Sequence, residues 1–456
     1  MSDSALAIVI LAAGKGTRMK SALSKVLHAI GNQPMLAHVL SAARDLKPSR
    51  IVVVTAPGDA SVASVAAAFG AEAVVQDRAL GTGHAVRAAE GVLKTFDGTV
   101  LVLFGDAPLM TSATLKGLST SASGGQIATL GFRPADPTGY GRMIVEQGIL
   151  QKIVEHKDAS DAERSVNVCF AGPLAGPANL IFELLSRVDV KNAQGEYYLT
   201  DIIALARAKS VTCSVFEAAA TEMLGVNSRA DLAAAEAAFQ ARRRTELMAS
   251  GVTFTDPNTV FLSADTQIEN DVTVGPFVVF GPGVRVRSGA EIRAFCHIEG
   301  AEIGANTLVG PYARLRPGAY IGDGAHIGNF VEVKNAQIGV GAKANHLTYI
   351  GDASVGAGSN IGAGTITCNY DGFNKTQTTI GENVFVGSNA TLVAPITLGD
   401  GAYVAAGSVV TDDVESDALV LGRARQVTKL GRAKLLRAER KAQKEKFQGQ
   451  SKKGEN

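Results

Sequence analysis

At 456 residues the chain is too long for a single core and divides into roughly three domains at ~150 residues each. Hydrophobic residues at 46% and charged residues at 19% give a globular balance, while 50 Gly, no Trp and 5% aromatics favour a Gly-punctuated, aliphatic architecture. A net charge of +1 argues against a general nucleic-acid coat protein, and four distant cysteines without C-x-x-C spacing (Cys169, Cys213, Cys296, Cys368) exclude a disulfide scaffold or zinc ribbon and suit a reducing cytosol.

Met1-Ser2-Asp3-Ser4 runs straight into a strand with no basic n-region or long apolar span, so neither export nor membrane insertion is expected. Residues 1–228 read as alternating strands and helices. The runs Ala7–Leu11, Ile51–Val54 and Val100–Phe104 are short and continuously hydrophobic, as in strands buried on both faces of a parallel sheet. Helical stretches around Met35 to Leu46 and Val62 to Phe69 lie between them, and this alternation makes an open α/β sheet.

The first strand leads into Leu11-Ala12-Ala13-Gly14-Lys15-Gly16-Thr17-Arg18-Met19, which has neither Walker A nor G-x-G-x-x-G spacing. Small residues after a buried strand let backbone N–H groups approach phosphates, and Lys15, Arg18 and Lys25 supply cations. The same features also describe an ordinary βα turn with surface cations. Asp106 follows the run Val100–Phe104, at a strand's carboxyl end where α/β sheets place ligands.

From Arg229 to about Met248 the chain is Ala-rich, without Gly or Pro, and predicts one helix acting as a linker over 229–250. The period then changes. Aliphatic or Phe residues fall six apart at 268, 274, 280, 286, 292 and 298, again from 303 to 333, then at Ile338, Ile350, Val355 and Ile361, and finally from 380 to 410. A sustained six-residue repeat, often followed by Gly, predicts a parallel β-helix over 251–420, each inward residue stacking into a ladder. The polar stretch Cys368–Lys375 interrupts the ladder and is expected to leave the solenoid as a loop on its binding face. Residues 421–456 carry twelve Lys or Arg against three Glu, a basic tail that is either solvated or closes its first part over an anion.

Taken whole, Leu-Ala-Ala-Gly-Lys-Gly-Thr-Arg-Met resembles the signature of sugar-1-phosphate nucleotidyltransferases. Leu80–Ala85, Gly105–Leu109, Asp136–Arg142, Val154–Asp158 and Asn192–Asp201, in that order, resemble one family more closely: the bacterial bifunctional N-acetylglucosamine-1-phosphate uridyltransferase/glucosamine-1-phosphate acetyltransferases. The resemblance covers all but the extreme C-terminal tail. It implies an N-terminal Rossmann-like nucleotidyltransferase domain, a helical linker and a C-terminal left-handed β-helix. It further implies a cytoplasmic homotrimer that uses acetyl-CoA, UTP and Mg²⁺ to turn glucosamine 1-phosphate into N-acetylglucosamine 1-phosphate and then UDP-N-acetylglucosamine, with no nucleic-acid partner.

The resemblance also assigns residues. Asp106 and Asn227 would hold Mg²⁺; Arg18 and Lys25 would act in uridylyl transfer; Leu11, Ala12, Ala13, Gly14, Gln76, Gly81 and Thr82 would face the nucleotide, and Gly141, Glu155, Thr200 and Asn227 the sugar. In the β-helix, Ala344–Tyr349 matches the family's catalytic motif and makes His346 the base for an amine attacking a thioester. Arg316, Lys334, Tyr349, Asn360 and Lys375 would hold glucosamine 1-phosphate, and Ala363, Asn369, Tyr370, Ser388, Ala406 and Arg423 would contact acetyl-CoA. Three positions depart from the family pattern: Ser24 before Lys25, Phe104 before Gly105, and Phe170-Ala171-Gly172 in place of Asn-Thr-Gly, which leaves acetamido recognition to Asn167 or a backbone group.

Overall fold

The hydrophobic runs of the N-terminal half form nine strands of one sheet: β1 (Leu6–Leu11), β2 (Arg50–Thr55), β3 (Glu72–Val75), β4 (Thr99–Phe104), β5 (Ile127–Phe132), β6 (Arg142–Glu146), β7 (Ile149–Val154), β8 (Cys169–Pro177) and β9 (Cys213–Glu217). The structure, a computed structural model, describes residues 5–451; Met1–Ser4, where the absence of an export signal is expected, and Lys452 and Lys453 of the basic tail lie outside the described residues. By internal contacts the chain divides into two units, Met1–Pro317 and Gly318–Asn456.

The sheet order is β9-β5-β8-β4-β1-β2-β3, with the β6–β7 hairpin added at β8. Strands β4, β1, β2 and β3 run parallel to one another, as continuous apolar runs require. The three runs read as parallel-sheet strands, β1, β2 and β4, do pair in parallel, and β8 enters antiparallel to both β4 and β5. Its residues alternate small and bulky without a pattern that distinguishes direction.

Along β1 and β4 successive side chains alternate between two cores. Val9, Val100 and Val102 pack on one face, and Ile8, Ile10, Leu101 and Leu103 on the other. Helices α1 (Met35–Asp45), α2 (Ala60–Ala68), α3 (Thr82–Arg87), α4 (Ser112–Ser121), α5 (Ala178–Leu185) and α6 (Asp201–Ala208) follow the strands. Leu36 and Leu40 of α1 and Leu115 and Leu118 of α4 close one core, and Ile181 and Leu184 of α5 with Ile202 of α6 close the other. Because β4 and β2 flank β1, the connections diverge there, and the carboxyl ends of β1 and β4 open a crevice.

The Ala-rich stretch is one helix, α7 (Arg229–Ala249), opened by a Ser228–Asp231 capping box. It does not span open space. Phe239 lies so close to Gly31 (φ +53) that a Cβ there would meet the ring at 2.3 Å. Glu236 accepts from Gly31 N at 2.8 Å, Arg242 donates to Leu109 O at 2.7 Å, and Gln240 donates to Leu262 O at 2.7 Å. The helix thus ties the α/β sheet to the first hexapeptide coils within the same unit.

Every inward position of the six-residue ladder that the sequence marks, from Ile268 through Val410, is buried. Register pairs step by one coil, as in Ile268↔Val286 and Val286↔Ile303 of the first unit and Ile338↔Val355 and Val386↔Val404 of the second. Most of these strands are only two or three residues long, so burial of the inward aliphatic, worth about 1.5–3 kcal/mol per side chain, must set the register. The second unit ends in α8 (Arg432–Ser451). The basic tail is helical over Arg432–Ser451 and irregular before it, and its described side chains from Arg423 to Gln448 are exposed.

Candidate active sites

The crevice at the ends of β1 and β4 is a cavity of about 290 Å³. Leu11, Ala12, Ala13, Gly14, Gln76, Gly81, Thr82, Lys25 and Asp106, all expected at the nucleotide, line it together with Lys15. Glu196 and Phe104 line it too, and neither was assigned from the sequence. Ala12 N donates to Val54 O at 2.8 Å and Gly105 N to Leu11 O at 2.9 Å, so both loops leave the sheet in fixed directions.

Lys25 is the centre of the polar wall. Its ammonium is bonded to the Asp106 carboxylate and donates to Asn227 Oδ1 at 3.1 Å. Residues 25, 106 and 227, far apart in sequence, thereby converge on one positive charge. Val226 N donates to Asp106 O at 2.9 Å, and Asn227 N donates to Asp231 Oδ2 at 3.0 Å, so the start of α7 aims the Asn227 side chain. Gly16 (φ +58) lies where a Cβ would come within 2.6 Å of Lys25 Cβ, so both its conformation and its neighbour demand glycine. Arg18 is apart from this group, exposed on the 3-10 turn Thr17–Met19.

Gln76 is buried, and its Nε2 lies 3.3 Å from Gly81 O and 3.1 Å from His84 Nδ1. The Gly81 turn (φ +106) is held against the segment ending in α6: Gly83 N donates to Tyr197 O at 2.8 Å and Leu199 N to Thr82 Oγ1 at 3.1 Å. On the sugar side Thr200 Oγ1 donates to Glu155 Oε1 at 3.2 Å, and a Cβ on Gly141 would lie 3.6 Å from Glu155 Oε2. Burial raises the Glu155 carboxyl above its ordinary range, with the Thr200 hydroxyl opposing. At the departure from the family pattern, the Phe170 N–H donates to Gly141 O at 2.9 Å and Asn167 is exposed. Asp201, next to Thr200 in the chain, is pushed up to about 6 by burial and by Asp189 and Asp158.

In the second unit the predicted residues form a column. Ala344, Ile361, Val386 and Val404 are successive register partners, and two residues beyond each stand His346, Ala363, Ser388 and Ala406. Carbonyls step down this corner: Gly364 N donates to His346 O at 3.3 Å, Asn389 N to Ala363 O at 2.7 Å and Gly407 N to Ser388 O at 2.8 Å. Arg423 closes the foot, donating from Nη1 to Ala406 O at 2.7 Å. At ~4.8 Å per strand, the column from His346 to Ala406 spans roughly 14 Å.

His346 is exposed, and its Nδ1 lies 2.6 Å from Asn329 Oδ1. The ring therefore donates from Nδ1 and keeps the Nε2 lone pair for a proton. Asn329 went unassigned in the sequence; its register pairing with His346 is the signal that identifies it. Tyr349 and Lys334 sit on neighbouring strands, Tyr349–Val355 and Glu332–Ile338, and Asn360 on the strand Asn360–Ile361. The interruption Cys368–Lys375 is a loop as expected, presenting Tyr370 and Lys375 to solvent and keeping Asn369 buried. Arg316 belongs to the first unit, in which it follows the strand Arg314–Leu315.

Residues 8–166 match the MobA-like NTP transferase domain, residues 265–300 and 300–335 the bacterial transferase hexapeptide, and residues 377–412 the hexapeptide repeat of succinyl-transferase. The bifunctional protein GlmU of Paramagnetospirillum magneticum is 52% identical over 449 residues, spanning 98% of this chain and 100% of its own length. The chain belongs to the GlmU family. The GlmU proteins of Rhodospirillum rubrum (54% over 435 residues, 95% of this chain and 97% of theirs) and Agrobacterium fabrum (52% over 448, 98% and 99%) are similarly related. As a GlmU-family member the chain is a bifunctional enzyme of UDP-N-acetylglucosamine synthesis, a uridyltransferase on the α/β sheet and an acetyltransferase on the hexapeptide β-helix. Among the described residues no helix is long and apolar enough to cross a membrane.

Proposed function

We propose that the two reactions run in order at the two sites just described. Acetyl-CoA acylates the amine of glucosamine 1-phosphate at His346, and N-acetylglucosamine 1-phosphate then takes a uridylyl group from UTP at Asp106. The domains that carry them are 1–228, the linker 229–250, the β-helix 251–420 and the tail 421–456. The observation that carries the reading is the convergence of Lys25, Asp106 and Asn227 on one cation position at the mouth of the β1–β4 crevice.

One carboxylate and one amide oxygen that already share a cation suit Mg²⁺, which takes few protein ligands and completes its shell with phosphates and water. When bound there, Mg²⁺ would neutralise phosphate charge as pyrophosphate leaves. Lys25, whose ammonium would give up that position to Mg²⁺, adds its own positive charge to the crevice, and Arg18 adds another from its exposed turn. The backbone of Ala13 and Gly14 presents N–H groups to the phosphates, and Gln76 with the Gly81–Thr82 turn reads the base. Glu155 and Thr200, bonded to each other near Gly141, hold the acetamido sugar. Catalysis here is positioning and charge neutralisation.

At the second site Nε2 of His346 removes the amine proton as nitrogen attacks the thioester carbonyl, and the thiol of CoA departs. Asn329 holds the ring in the tautomer this needs. Lys334, Tyr349, Asn360 and Lys375 hold the acceptor sugar phosphate. The Ala363–Ser388–Ala406 column, with Asn369, Tyr370 and Arg423, takes the extended pantetheine and nucleotide of CoA.

The enzyme is a homotrimer of the cytoplasm. Supporting assembly, Phe277, Phe295 and Tyr312 stack at coil corners with centroids 5.0 and 4.8 Å apart, yet stay 52%, 45% and 46% exposed. Bulky residues at positive φ are uncommon, and an exposed aromatic stack built from them is a surface for another copy. Four free cysteines suit a reducing compartment. A coupled assay with glucosamine 1-phosphate, acetyl-CoA, UTP and Mg²⁺ tests the whole reading: both CoA and pyrophosphate must form, and chelation must stop only pyrophosphate.

A further inference from the structure

One corner of the β-helix carries a ladder unlike the aliphatic ones. Gly318, Asn335, Asp352 and Asn369 follow at intervals of 17 residues. A Cβ on Gly318 would meet Asn335 Oδ1 at 3.0 Å. Asn335 Nδ2 donates to Asp352 Oδ1 at 2.6 Å, and Asn369 Nδ2 donates to Asp352 Oδ2. Asp352 therefore bridges the coil before it and the root of the loop Cys368–Lys375 after it, one carboxylate oxygen to each amide.

That loop is a small closed unit. Thr376 N donates to Asn369 O at 3.0 Å at its neck, Tyr370 and Lys375 face each other across it, and Asp371 Oδ1 accepts from Phe373 N at 2.7 Å and Asn374 N at 2.6 Å at its tip. Its return arm, Lys375–Gln377, does not pack on an apolar core. It walls a polar cavity of about 460 Å³ whose other lining includes Asn335, Gln337, Asp352 and Ser354. An arm over polar space needs hydrogen bonds to keep its place. Burial opposes ionisation of Asp352, but the two amides, Lys375 and Lys334 outweigh it and hold the carboxyl below its usual range.

We propose that Asp352 is a positioning residue for acetyl transfer, clamping the ejected loop so that Asn369, Tyr370 and Lys375 stand where the substrates need them. The proposal rests on the reading that this loop serves the acetyltransferase. The chemistry requires a carboxylate. Two amide donors converge on it, and an amide at position 352 has only one oxygen, so its NH₂ must face another NH₂. Loss of a charged, half-buried acceptor frees the loop root rather than the base, so substrate binding weakens while the chemical step survives.

The test compares wild type, Asp352→Asn, Asn335→Asp and the double variant Asp352→Asn/Asn335→Asp, each confirmed folded by circular dichroism. Asn335 contacts neither substrate, and Asn335→Asp sets a second carboxylate against Asp352 and displaces it. Trypsin cleavage between Lys375 and Thr376, read by mass spectrometry, reports loop release without reference to activity; KM for glucosamine 1-phosphate reports its consequence. Each single variant should cleave about tenfold faster or more and raise that KM about tenfold with little change in kcat. The double variant exchanges donor and acceptor, and should recover protection and KM. Unchanged cleavage in Asp352→Asn, or no recovery in the double variant, overturns the clamp. Faster cleavage with unchanged KM also overturns the proposal, and Lys375→Ala then tells why: if it too leaves KM unchanged, the loop does not serve acetyl transfer, and if it raises KM, only the role of Asp352 is wrong.

Discussion

Asn329 and His346 sit opposite each other on adjacent coils, with Asn329 Oδ1 2.6 Å from Nδ1 of the imidazole. An amide oxygen cannot donate, so the ring proton is fixed on Nδ1 and Nε2 is left basic. In Asn329→Ala the ring loses that tautomer preference and its orientation. Acetyl-transfer kcat should fall about tenfold, and CoA release followed by a thiol reagent measures it. A kcat equal to wild type removes Asn329 from the mechanism.

Gly16 gives a second prediction. Its left-handed backbone and the 2.6 Å approach to Lys25 Cβ mean that Gly16→Ala must shift the phosphate loop or Lys25. Uridylyl transfer should drop about tenfold or more while acetyl transfer is preserved, because misplacement by about 1 Å is costly when catalysis is positional. Pyrophosphate release measures the loss. Full activity in this variant means that the loop and Lys25 need not be in register.

Asp201 links stability to pH. Its folded pKa, about 6, lies above the unfolded value near 4, so the native state holds the proton more tightly and stability falls as pH rises from about 4 to about 6. Asp201→Asn removes that loss. Its Tm should exceed wild type by roughly 2–4 °C at pH 7.5, and the difference should vanish near pH 4. A Tm difference independent of pH, followed by circular dichroism, contradicts the burial argument.

The β-helix was legible because each coil buries three apolar side chains, one every six residues, and the spacing survives in sequence. The nucleotide loop and Asp106 were legible as a motif at strand ends. What the sequence hides is direction and docking. Nothing in Cys169–Pro177 marks β8 as antiparallel, since it pairs through backbone. The linker helix was readable from its alanines, but not its anchoring through Glu236, Gln240 and Arg242, because solvated and docked charged faces look alike in sequence. Asn329 and Asp352 act through partners 17 residues away, which only the coil register brings together.

The central claim is that one chain carries two chemistries at two separate sites. The most direct measurement assays thiol release from acetyl-CoA and pyrophosphate release from UTP separately in Asp106→Asn and His346→Ala. Asp106→Asn should lower pyrophosphate release on the order of a hundredfold or more and leave thiol release unchanged. His346→Ala should lower thiol release by about 10²–10⁴-fold and leave pyrophosphate release unchanged. Either substitution abolishing both activities in a folded protein contradicts the two-site account, as does thiol release near wild type in His346→Ala.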